Sequence, residues 1–163
     1  MSGLERFKIA QDQLDSGFEA ALSEIQGGRK RGHWIWYVFP QLAGLGVSAA
    51  SRTYAIRDIA EARAYLRDVV LCERLLTSTT AVAEHVSRGT SLEALMGSWL
   101  DAQKLVSSLT LFGEVARSLH AAEGLEMGEA VADVADRVLD AAQREGLPRC
   151  GFTCERVTGC TRP

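Results

Sequence analysis

Two stretches of this chain collect side chains that can bind or move charge. The first is GGRKRGHWIWYVFPQLAGLG, residues 27–46, which holds three cations, a histidine, four aromatics and five glycines. The guanidinium forks of Arg29 and Arg31 and the ammonium of Lys30 suit phosphate or carboxylate. Trp34 and Trp36 offer flat faces for stacking, and His33 offers an imidazole for proton transfer. The second is DAQKLVSS, residues 101–108. On a helix, Asp101, Lys104 and Ser108 stand at i, i+3 and i+7 and share a face, with Ser107 beside them. A carboxylate and an ammonium in one turn, with hydroxyls one turn on, can orient a substrate or exchange protons with it. Each stretch also has a purely structural explanation. The basic triplet can solvate a corner, the aromatics can fill a core, and Asp101–Lys104 can be a surface pair worth roughly 0.2–0.5 kcal/mol.

These groups need elements to position them. Leu4, Phe7, Leu14, Phe18, Leu22 and Ile25 fall on one helical stripe that ends at Gly27-Gly28, with Gly17 marking a break. The run WIWYVF has strand-like composition but no second strand to pair with, so a short helix or extended piece ending at Pro40 is expected. Asp58 has the spacing of an N-cap for a helix through Tyr65 and Leu66, and Thr90-Ser91-Leu92-Glu93 has a capping-box spacing for a short helix to Met96. A longer helix is predicted from about Val70 to Ser87, with Thr77, Thr79 and Thr80 as its weak point. Trp99 to about Ala122 forms the clearest helix after the first, and a last one runs over about 128–145. The fold class predicted is all-α: a single compact multihelical domain of about five to seven helices over residues 1–145, with an irregular aromatic and basic loop after the first helical segment. Residues 146–163 are read as an irregular cysteine-containing tail.

With 163 residues the chain is one domain's worth, and 47% hydrophobic with 24% charged residues is an ordinary globular balance. A net charge of −3 argues against general nucleic-acid binding, which needs a basic excess. No apolar run spans a bilayer and the charged start differs from a signal peptide, so a cytoplasmic location with no membrane contact is expected. Cys150, Cys154 and Cys160 are spaced C-x3-C-x5-C, which is not a zinc pattern. No nucleotide-fingerprint, P-loop, HExxH or GxSxG motif occurs, so neither metal nor cofactor is expected.

The run GRKRGHWIWYVFPQLAGLGVSAASRTYAIRDIAEARAYLRDVVLCERL, with LERF before it and DAQKLVSSLTLF after it, resembles the family catalogued as domain of unknown function 1810. The resemblance covers residues 4–112 and implies a small all-helical intracellular domain with no settled activity. The glycine, basic, His-Trp, Phe-Pro-Gln pattern maps onto Gly28, Arg29, Lys30, Arg31, His33, Trp34, Trp36, Phe39, Pro40 and Gln41. The Asp-x-x-Lys-Leu-x-Ser-Ser block maps onto Asp101, Lys104, Leu105, Ser107 and Ser108. The Ser-x-x-Tyr-Ala-Ile block maps onto Ser51, Tyr54, Ala55 and Ile56, and here Arg52 and Arg57 flank the tyrosine. After Leu139 the sequence departs from the family pattern, so no function is assigned to the tail.

These readings combine into one expectation. The segment after the first helices and the helix from Trp99 meet around a pocket for an anionic, nucleotide-like small molecule. His33, Asp101 and Lys104 are the candidates for proton transfer, as in N-glycosidic hydrolysis. Arg29, Lys30, Arg31, Trp34, Trp36, Gln41, Arg52, Tyr54, Ser107 and Ser108 are the candidates for ligand contact. The alternative is a non-enzymatic interaction module that docks an acidic partner through the same basic and aromatic surface.

Overall fold

A computed structural model of the chain describes residues 3–157. Ten helices form among the described residues, and no strand. They are α1 (Glu5–Gln11), α2 (Phe18–Gln26), α3 (Ile35–Val38), α4 (Ala49–Thr53), α5 (Ile59–Arg67), α6 (Val69–Ser87), α7 (Leu92–Met96), α8 (Trp99–Glu123), α9 (Glu126–Arg144) and α10 (Gly151–Cys154). The all-α class is as expected, but five to seven helices was too few. Helices α3, α4, α7 and α10 have only four or five residues each, too few to display a hydrophobic period. The first helical segment is also divided in two. At Gly17 a Cβ would lie 2.2 Å from the Gln11 carbonyl oxygen and 2.3 Å from that of Gln13, so the chain can double back there only on glycine. Leu14, placed on the stripe by its spacing, falls in that turn and is 90% exposed.

Side-chain caps set several boundaries. Asp58 accepts from the Glu61 amide at 2.8 Å, as its spacing predicts. Asp68 both closes α5 and caps α6, accepting from the Leu71 amide at 3.1 Å. Ser91, rather than Thr90, caps α7, and Ser98 caps α8. The threonines of α6 do not interrupt it. Thr79 and Thr80 donate to the carbonyls of Leu75 and Leu76, each at 2.7 Å, which satisfies their hydroxyls within the helix.

Helix α8 runs through the centre, with Leu105, Leu109, Phe112, Ala116 and Leu119 buried. It turns at Gly124 into α9, and the two lie close enough for a Cβ on Gly113 to come within 3.2 Å of the Ala135 methyl. Helix α9 also packs on α6, which packs on α2, while α5 and α7 pack on α8. Aromatic rings link the layers. Tyr65 meets Phe7 at 5.2 Å and Phe112 at 4.9 Å, and its hydroxyl oxygen accepts from Gln11 Nε2 at 3.1 Å. Full burial of each such ring contributes roughly 1.5–3 kcal/mol.

The chain on either side of α4 is tied by one parallel bridge, Leu42 to Ile56. There the Ala43 amide donates to the Ile56 carbonyl and the Ile56 amide to the Gln41 carbonyl, both at 2.8 Å, which fixes Gln41 in place. The segment after α9 is packed down as far as it is described. Leu147, Thr153 and Val157 are buried, and Arg149 pairs with Asp136 and Asp140 of α9 at 3.3 and 3.1 Å. These anchors follow no helical period, so the sequence pattern does not display them. Cys160 lies outside the described residues. No helix among the described residues is long and apolar enough to cross a membrane.

Candidate functional site

One carboxylate shapes the segment between α2 and α3. Glu24 Oε1 accepts from the amides of Arg31 at 2.6 Å and Gly32 at 2.7 Å, and from Trp34 Nε1 at 3.0 Å. Burial alone would raise the Glu24 pKa, but these donors and the nearby Lys30 charge hold it below the usual glutamate value. The residue is absent from the sequence-derived candidates. Its signal is indirect: consecutive amides in a glycine-containing turn need an acceptor, and Glu24 is an acidic residue near the end of the preceding helix.

Folded this way, the segment turns Lys30 inward. Lys30 is only 7% exposed, and its Nζ sits 2.7 Å from Asp101 Oδ2 and 5.1 Å from the Trp34 ring centroid. Its amide donates to the Leu95 carbonyl at 2.7 Å. Gly97 permits that approach: it adopts φ +81°, and a Cβ there would come within 3.0 Å of the Lys30 carbonyl oxygen. Lys104 Nζ takes the other Asp101 oxygen at 2.9 Å and stands 4.0 Å from the Trp36 ring centroid. Burial of Asp101 acts to raise its pKa, and the two ammonium groups outweigh that and bring it below the ordinary aspartate value. Two stretches some seventy positions apart therefore do meet, as a Lys30–Asp101–Lys104 chain of ion pairs flanked by two indoles.

The remaining candidates separate. Trp34 is fully buried, its ring tilted against that of Phe39 at 6.2 Å, and has no face open to a ligand. His33 is exposed. Arg29 and Arg31 border a shallow hollow with Ser23 and Gly27. Arg52 borders another with Arg6 and Arg57. Tyr54 packs on Tyr37 at 5.1 Å. Ser108 is buried with no partner for its hydroxyl among the described residues, and Ser107 donates to the Gln103 carbonyl at 3.0 Å.

A larger cleft of about 420 Å³ opens on the outer side of Lys104. One wall is the first turns of α8, with Trp99, Gln103, Lys104 and Ser107. The opposite wall is residues 146–151, with Pro148, Arg149 and Cys150, and Gln41 and Leu45 close it from the loop after α3. Trp99 is 40% exposed and gives the cleft the open indole face that Trp34 lacks. Of the sequence-derived candidates only Gln41, Lys104 and Ser107 line it. Trp99, Arg149 and Cys150 were missed. Trp99 reads as a helix start, and the tail offered no pattern to place it against α8. The imidazoles of His85 and His120 are taken up by the carbonyls of Gln26 at 3.1 Å and Leu125 at 3.0 Å, in structural roles.

Comparison with known proteins adds a family and a fold. The family model described as "Protein of unknown function (DUF1810)" matches residues 1–130, which extends the resemblance beyond Phe112. The chain is similar to a conserved hypothetical protein from Mycobacterium tuberculosis, Rv1873, known from its crystal structure. The two are 33% identical with a TM-score of 0.71, over 94% of this chain and 95% of that one. No curated protein matches the chain.

Proposed function

This chain belongs to the DUF1810 family, and we propose that its cleft between α8 and residues 146–151 binds a small anionic molecule of nucleotide size. The observation that carries this reading is the convergence of two cations from distant parts of the chain, Lys104 and Arg149, on one concavity with an open indole. A volume of about 420 Å³ lies within the usual range for small-molecule sites. Lys104 spends one contact on Asp101, and Arg149 meets its two aspartates through Nη2 alone, so both retain donors for a guest. Gln41, Gln103 and Ser107 supply neutral polar contacts, and the ring of the guest stacks on Trp99.

Hydrolysis is not part of this reading. Both Asp101 oxygens are held by lysines, and the lowered pKa makes it a poor proton carrier at neutral pH. His33 does not line the cleft. Docking of an acidic partner is also less well supported, because Arg29 and Arg31 lie in one hollow and Arg52 in another.

The test is thermal unfolding with AMP, ADP, phosphate and citrate at 1 mM each, on wild type and on Lys104→Gln and Arg149→Gln. A dissociation constant near 10 μM would stabilise the fold by about 2.7 kcal/mol and raise Tm by roughly 5–10 °C. Either substitution is expected to remove most of that rise. No rise with any of the four anions would refute the reading.

A further inference from the structure

Cys150 stands on the wall of the same cleft, on the side formed by residues 146–151, between Arg149 and the start of α10. It is a free thiol and is partly exposed, whereas the free thiol of Cys72 is fully buried. Its surroundings favour the thiolate. Burial acts to raise the pKa, but the polar groups around the sulfur, the Thr153 and Ser107 side chains and the amides of Thr153 and Phe152, outweigh it and bring it below the ordinary thiol value. Thr153 is itself fully buried, and its hydroxyl has no hydrogen-bond partner among the described residues. At Cys72 the balance is opposite: burial, with the Glu73 charge, pushes the thiol up to about 11.

We propose that Cys150 is a covalent modification site of the cleft, selective for small electrophiles that carry a carboxylate or phosphate, which Lys104 and Arg149 hold beside the sulfur. This rests on the reading of the cleft as an anion site. In the step itself, Cys150 releases its proton to solvent and its sulfur forms a bond to the electrophilic carbon. The bond from that carbon to its leaving group breaks, and the leaving group departs with the electron pair. No oxidant or reductant is consumed.

Iodoacetate and iodoacetamide are a matched pair of probes, alike except for charge, with iodide as the leaving group. Full-length protein is alkylated at pH 7 with each, and modification of Cys150 and Cys72 is followed by peptide mass spectrometry. Cys150 is expected to react about tenfold faster than Cys72, or more. The iodoacetate-to-iodoacetamide rate ratio at Cys150 is expected to be roughly threefold higher in the native protein than in the urea-unfolded chain. That excess disappears in Lys104→Gln and in Arg149→Gln and persists in Lys104→Arg. Equal slowness of the two cysteines overturns the proposal, as does a native ratio equal to the unfolded one, or one indifferent to both charge removals. If Cys150 shows no charge preference while the nucleotides still stabilise the fold, only this proposal fails. If neither effect appears, the anion site itself is wrong.

Discussion

Replacing Asp101 with alanine should destabilise the protein far more than replacing the lysine it pairs with. The side chain of Lys30 is 6% exposed and that of Asp101 18%, and 2.7 Å separates their charges. Asp101→Ala leaves a buried ammonium with only a neutral backbone acceptor, the Gly32 carbonyl. Removing one partner of a buried pair costs about 3–5 kcal/mol. Partial exposure of the site moderates this case, so the low end applies: about 3 kcal/mol, or a Tm lowered by roughly 6–12 °C. Lys30→Met is different. It removes the buried charge, keeps an apolar chain against Trp34, and leaves Asp101 paired with Lys104, so the expected loss is at most about 1 kcal/mol. The double variant should then be more stable than Asp101→Ala alone, with a coupling near 2 kcal/mol. Urea and thermal unfolding of the four proteins measure all of these. If Lys30→Met costs as much as Asp101→Ala, or if the double variant recovers nothing, the stranded charge is not the cause of the destabilisation.

Two further outcomes follow from the same structure. Glu24 is held below the ordinary glutamate value in the folded state, so below about pH 4.5 the unfolded chain takes up a proton that the folded one resists, and stability falls as pH falls. Glu24→Gln should flatten the acid side of a plot of stability against pH, and an unchanged slope would contradict this. Leu147 is 3% exposed, so Leu147→Ala should cost about 2–4 kcal/mol if the segment after α9 is part of the cooperative unit. A Tm within about 1 °C of wild type would show that it is not.

Where a residue acts through neighbours in the chain, the sequence displays it. The cap at Asp58, the extent of α8 and the buried stripe of Phe7, Phe18 and Ile25 can all be read from spacing. Leu14 could not be placed, because a turn forced at Gly17 takes it off the stripe while leaving its position in the period unchanged. The encounter of the basic stretch with α8 could be anticipated from charge: three consecutive cations and the carboxylate at the start of α8 are of opposite sign. Which of the three cations turns inward could not, because that is decided by Glu24 binding the amides of Arg31 and Gly32. The cleft was least legible. Its second wall is held by Arg149 reaching α9 and by Leu147 entering the core, long-range contacts that leave no repeat in the local sequence.

Asp101 has one counterion sealed inside the protein and another at the rim of an open space. The inner lysine never has to let go. In the anion site proposed above, the outer one would be free to swing toward a negatively charged guest without stranding the carboxylate, a spare positive charge that the doubled arrangement could lend and take back.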